Sequence, residues 1–275
     1  MAEAHPNDQT LLDRLVRALG GVPGIRAIVL GGSRARGEAS AQSDYDIGLY
    51  YEPDNPIDVG RLAKAAMLLP GAVRSSVTAI GEWGPWINGG AWLTVDGRRV
   101  DLLYRDLAKV ADVIEACHAG RIERAYQPGH PHAFVSAIYM GEVAHCQVLW
   151  DPEAVLAPLR RRCDPYPAAL GEALIRAFFW EARFALENAG HGRGNRDPAY
   201  AAGCAFRSVA CLCQTLFALN RAYLLNEKGA VVGVERLALK PADFAVRVRR
   251  ALADGAVGLD ALSALVDETA ELLKA

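Results

Sequence analysis

The chain has 275 residues, 52% of them hydrophobic, with 32 acidic against 30 basic side chains and a net charge of −2. This excludes an intrinsically disordered chain, which cannot bury enough apolar surface to offset its ordering entropy. It also gives no overall attraction for nucleic acid, leaving room only for a local basic cleft.

The length suits one large domain or two ordinary ones. Asn7 or Asp8 is expected to cap a first helix running to Leu19, with Leu11, Leu12, Leu15, Val16 and Leu19 on one stripe and Gly20-Gly21 at its end. Residues 25–30 and 44–51 read as strands. Asp54-Asn55-Pro56 reads as a helix start with proline in the first turn, and that helix runs to about Leu69. Residues 75–80 read as a strand, and 91–95 and 98–104 as a hairpin turning at Asp96-Gly97.

After Leu149-Trp150-Asp151-Pro152 the strand signals stop. Helical spacing covers 168–189, through Leu170, Leu174, Ala177, Phe178, Glu181 and Phe184. It covers 198–225 through Ala202, Phe206, Val209, Cys213, Leu216 and Phe217. Between them HGRGNRDP, 191–198, reads as a loop, with Asp197-Pro198 starting the next helix. Gly229 reads as a C-cap, and two more helices fit 241–253 and 258–273. The expected architecture is α+β. Residues 1–150 form a mixed twisted sheet flanked by helices, and 151–275 a helical bundle for substrate binding or dimerisation.

Cys117, Cys146, Cys163, Cys204, Cys211 and Cys213 form no CxxC pair and read as reduced thiols, with Cys204 and Cys211 sharing a buried helical face. The opening MAEAHPNDQT has no apolar signal core, and no apolar run approaches the ~20 residues that span a bilayer. The expectation is a cytoplasmic protein without a membrane partner.

The chemistry concentrates in Ile28–Tyr51, IVLGGSRARGEASAQSDYDIGLYY. An apolar strand ends in Gly31-Gly32-Ser33, and the chain re-enters a strand carrying Asp44 and Asp46. Carboxylates two residues apart on a strand face the same side, while Tyr45, Ile47 and Leu49 face the other and can be buried. Asp101, in RRVDLLYR, is the third candidate carboxylate, its alternative being an edge pair with Arg99 or Arg105. Mg²⁺ takes oxygen ligands at ~2 Å and leaves positions for substrate phosphates. Two such carboxylates can bridge two ions ~4 Å apart, one gripping a triphosphate and the other activating a hydroxyl that Asp101 helps deprotonate. Gly31 and Gly32 admit phosphate close to the backbone, Ser33 can donate to a phosphate oxygen, and Arg36 can neutralise its charge.

With these residues in place, GGSRARG followed by SDYDIGLY resembles the signature of the DNA polymerase β-type nucleotidyltransferase superfamily. The Gly-Ser turn is Gly32-Ser33, the Asp-x-Asp pair is Asp44 and Asp46, and the later Asp is Asp101. The resemblance is nearest to the minimal and the antibiotic-modifying members, which act on aminoglycosides and lincosamides. It implies two Mg²⁺ ions, a nucleoside triphosphate substrate (ATP is the expectation), and transfer of the monophosphate to a hydroxyl with release of pyrophosphate. It also implies a Lys or Tyr lent to the triphosphate by the helical half, for which Tyr223 and Lys228 are the candidates.

Other residues carry two readings each. Arg34 contacts phosphate or lies in solvent, and Ser43 braces the Asp-x-Asp strand or touches phosphate. Trp83, Trp86 and Trp92 form an aromatic wall for base or acceptor, or pack a loop onto the core. His130 and His132 place an imidazole near the acceptor, or belong to a proline turn; Glu142 is an auxiliary base or a structural residue. The acceptor is expected to be a small molecule, an antibiotic among the choices. Alternatives are RNA, a protein, or no transfer at all, as in nucleotidyltransferase-like antitoxins and nucleotide sensors. Retention of all three carboxylates favours catalysis, and the helical half is compatible with a homodimer.

Overall fold

The computed structural model describes residues 6–253 and 258–274. The elements begin with α1 (Pro6–Leu19), β1 (Ala27–Leu30), α2 (Gly32–Ala35), β2 (Tyr45–Tyr51), α3 (Val59–Met67), β3 (Ala72–Val77) and β4 (Gly90–Val95). There follow β5 (Arg98–Asp106), α4 (Leu107–His118), β6 (Arg124–Gln127), β7 (His130–Val135), α5 (Ile138–His145), β8 (Gln147–Trp150) and α6 (Leu156–Cys163). Then come α7 (Ala168–Gly194), α8 (Pro198–Leu219), α9 (Ala230–Val234), α10 (Phe244–Ala253) and α11 (Gly258–Leu272). The chain divides into two compact units, Met1–Glu115 with Tyr139–Asp164, and Ala116–Ile138 with Pro165–Ala275. Residue 150 therefore lies inside the first unit. Mixed sheet and flanking helices make the fold α+β.

The first unit is built on a six-stranded sheet in the order β3-β4-β5-β2-β1-β8. β2 and β5 run parallel and the other neighbours antiparallel. Strand alternation sorts the side chains by face. Tyr45, Ile47, Leu49 and Tyr51 of β2 join Val100, Leu102 and Tyr104 of β5 in a core closed by Leu11, Leu12, Leu15 and Leu19 of α1 and Leu62 and Ala66 of α3. Each such leucine contributes roughly 2 kcal/mol on burial. The opposite face carries Asp46 and Asp101, then Tyr50 and Arg105. Arg105 is 3% exposed. Its guanidinium donates two hydrogen bonds of 2.7 Å to Glu142 of α5 and lies over the Tyr139 ring.

Several ends differ from the sequence expectations. Asn7 and Asp8 both fall inside α1, so Asp8 is not its cap; the side chain of Asn7 lies outside the described residues. The helix expected from Asp54 starts at Val59, because Asp58 accepts from Arg61 N–H at 2.9 Å and so caps the first turn. Asn55 instead donates back to Glu52, closing a tight turn. The hairpin at Asp96-Gly97 is present, with φ of 50° and 75° at the two residues. α4, α5 and the short strands β6, β7 and β8 had no counterpart in the expectations. His130 and His132, for which a proline turn was one of two readings, lie on β7, with Gly129 at the bend of the β6–β7 hairpin.

In the second unit α7 continues through His191–Gly194, where a loop was expected. Gly192 explains it: a Cβ there would lie 2.9 Å from Tyr200 and 3.0 Å from the Ala201 backbone, so the glycine lets α8 approach while the helix continues. Asp197 caps α8, accepting from Tyr200 N–H at 3.0 Å, with Pro198 in the first turn. α8 stops at Leu219, not 225, because the Asn220 amide bonds Leu216 O, Leu239 O and Leu239 N–H. Gly229, expected as a C-cap, is the left-handed N-cap of α9. By length and composition α8 passes as a bilayer-crossing helix, contrary to expectation. It buries Ser208, Gln214 and Thr215 and packs along α7, the behaviour of a core helix.

Candidate active site

The site grows from one register. Asp46 on β2 is the Cα partner of Asp101 on the adjacent parallel strand β5, so both carboxylates leave the sheet side by side on the face away from the core. Asp44 stands just before β2. The β1–α2 turn closes over them. Gly31 N–H donates to Asp46 O at 2.7 Å. Gly32 has φ +61°, and a Cβ on it would lie 1.7 Å from Asp46 Oδ2. Only glycine accommodates both the left-handed backbone and that approach.

Asp44 Oδ1 lies 2.5 Å from Arg99 Nε, yet it is buried without an aligned hydrogen bond. The contact is an ion pair by distance but not by angle. Arg99 therefore pairs with Asp44. Among the described residues, the group of three His, Cys, Asp or Glu ligand atoms lying within 4.8 Å of one another is His132, Glu181 and Cys211, not the three aspartates. Repulsion among three carboxylates and the pull of Arg99 both oppose a tighter cluster. The donor set, all carboxylate oxygen with one buried acceptor lacking an aligned donor, fits a hard divalent cation such as Mg²⁺.

The residues around the turn separate into braces and exposed groups. Arg34 stacks 3.8 Å over the Tyr45 ring and donates to Ser43 O at 2.8 and 3.2 Å and to Asp8 at 3.1 Å. Tyr45 O–H also donates to Asp8, and burial followed by that bond raises its pKa. Arg34 thus braces the loop. Ser43 Oγ accepts from Ser40 N–H at 2.9 Å, a bond within the same loop. Arg36 pairs with Glu38 at 3.0 Å, and Ser33 sits in α2 with its carbonyl accepting from Glu38 N–H. His145 at the end of α5, which no sequence signal singled out, is kept below the usual imidazole range by burial and then by Arg36.

The three tryptophans divide. Trp83 and Trp92 stack with ring centroids 4.4 Å apart, and Trp92, 57% exposed, is the antiparallel register partner of Asp101. Trp86 is buried against Tyr139, with Lys109 Nζ 4.1 Å above its ring. Glu142, considered as an auxiliary base, has both oxygens bonded by Arg105. Tyr223, Lys228, His130 and His132 lie in the second unit. Tyr223 packs against Tyr166 beside a small cavity lined by Leu174, Gln214 and Phe217. Lys228 is exposed in the turn before α9, its N–H donating to Asn226.

Residues 11–116 match the family described as the nucleotidyltransferase domain. Among solved structures, a nucleotidyltransferase-like protein from Exiguobacterium sibiricum 255-15 is similar at 10% identity and a TM-score of 0.44, over 98% of this chain and 74% of that one. No curated protein matches the sequence. The matched residues contain the glycine turn, the Asp-x-Asp strand and Asp101, the same residues that carry the resemblance to the DNA polymerase β-type nucleotidyltransferases.

Proposed function

We propose that this protein transfers a nucleoside monophosphate, AMP from ATP, to a hydroxyl of a small molecule and releases pyrophosphate. The observation that carries the reading is the register of Asp46 beside Asp101 under the Gly32 turn. Asp44, Asp46 and Asp101 would hold two divalent ions, which when bound neutralise triphosphate charge and lower the pKa of an attacking hydroxyl. Asp101 accepts the hydroxyl proton as the acceptor oxygen bonds to the α-phosphorus and the bond to the β-phosphate breaks. Gly32 lets the start of α2 sit against Asp46, and first-turn N–H groups there have no helical carbonyl to bond and can meet a phosphate. Arg36 supplies positive charge there. The stacked Trp83–Trp92 pair beside Asp101 suits a ring-bearing acceptor, antibiotics included. Six free cysteines accord with a reducing cytoplasm.

The test uses ATP labelled on either the α- or the γ-phosphorus, with Mg²⁺ and separate pools of antibiotics, RNA and cell extract. The reading expects α-label in a small-molecule product and γ-label in pyrophosphate. The γ-label on the product would overturn nucleotidyl transfer, and α-label confined to RNA or protein would overturn the small-molecule acceptor.

A further inference from the structure

His132 of β7, Glu181 of α7 and Cys211 of α8 meet inside the second unit, at 9%, 6% and 0% exposure. One ligand atom of each lies within 4.8 Å of the others. His132 Nε2 is 3.8 Å from Cys211 Sγ. In a tetrahedral zinc site, a sulfur at ~2.3 Å and a nitrogen at ~2.0 Å stand about 3.6 Å apart. The pair is within a few tenths of an ångström of that spacing. The other ring nitrogen, His132 Nδ1, is buried without a hydrogen-bond partner.

We infer that His132 Nε2, Cys211 Sγ and a Glu181 oxygen bind one divalent transition-metal ion, Zn²⁺ by the chemistry of its donors, clasping β7, α7 and α8 together. A nitrogen, sulfur and oxygen set disfavours Mg²⁺, which takes oxygen, and suits Zn²⁺. The Cys211 thiol loses its proton to the solvent as the metal–sulfur bond forms. The bound ion, one thiolate and one carboxylate then sum to zero charge.

The surroundings complete the argument. Arg124 donates to Glu181 Oε2 at 2.5 Å and Arg207 to Oε1 at 2.5 Å. Their side chains are 44% and 50% exposed, so they can remain as outer partners of a coordinated carboxylate or swing into water. Glu227 adds negative charge: Oε1 accepts from His132 N–H and Ala133 N–H, and Oε2 is buried without a partner.

Titration of the full chain with Co²⁺ tests this. The expected result is one ion per chain with a thiolate-to-cobalt charge-transfer absorption, about one proton released per ion, and displacement by Zn²⁺. That absorption should vanish in Cys211→Ser and persist in Cys204→Ser and Asp46→Asn. Zn²⁺ should raise the melting temperature of the wild type but not of Cys211→Ser. No charge-transfer absorption in the wild type, or the same absorption in Cys211→Ser, would overturn the assignment.

Discussion

At Gly32 a single absent methyl group decides the site. Alanine there would set a Cβ 1.7 Å from Asp46 Oδ2, at a left-handed φ of +61°. The backbone strain is worth about 1 kcal/mol, whereas displacing the carboxylate removes a proposed ligand position. Gly32→Ala is therefore expected to lower the transfer rate by about 100-fold while moving the melting temperature only slightly, as initial rates and a thermal melt would show. Glu142 behaves in the opposite way. Glu142→Gln leaves the buried Arg105 charge poorly compensated and is expected to cost about 3 kcal/mol in urea unfolding. Were Glu142 a base, the loss would appear in rate at unchanged stability.

At the scale of elements, what was legible in the chain was local. Alternation in Tyr45–Tyr51 placed Asp46 opposite the apolar side chains, and Asp96-Gly97 marked a hairpin. The parallel pairing of β2 with β5 joins segments distant in sequence, so nothing local tells that Asp46 and Asp101 are neighbours. β6, β7 and β8 are four to six residues long with mixed polarity, too short for a period. The run of α7 through Gly192 depends on contact with α8, and the stop of α8 on bonds from Asn220 to Leu239, both tertiary effects that override propensity. Trp92 shows the same limit, since its place beside Asp101 follows from β4–β5 register. Trp92→Ala is expected to raise KM for the acceptor by about tenfold, the size of one lost aromatic contact, with KM for ATP unchanged. Steady-state kinetics with each substrate varied separately checks this.

At the scale of the whole molecule, composition bounded the class, and His132 and His145 set a pH response. His132 and His145 both have folded-state pKa values below the ordinary imidazole value, through burial and then nearby arginines. Below about pH 6.5 the unfolded chain takes up protons that the folded chain resists, so stability falls as pH drops through that range. Chemical denaturation at pH 7.5 and 5.5 should show a lower midpoint at the acid value, and His132→Gln should narrow the difference. The central claim concerns the carboxylate face. The most direct measurement is calorimetric titration of ATP, with and without Mg²⁺, into the wild type, Asp46→Asn and Asp101→Asn. Mg²⁺ is predicted to tighten ATP binding to the wild type by about tenfold or more, and both variants are predicted to lose that gain while keeping the metal-free melting temperature. Equal Mg²⁺-dependent tightening in Asp46→Asn would contradict the account.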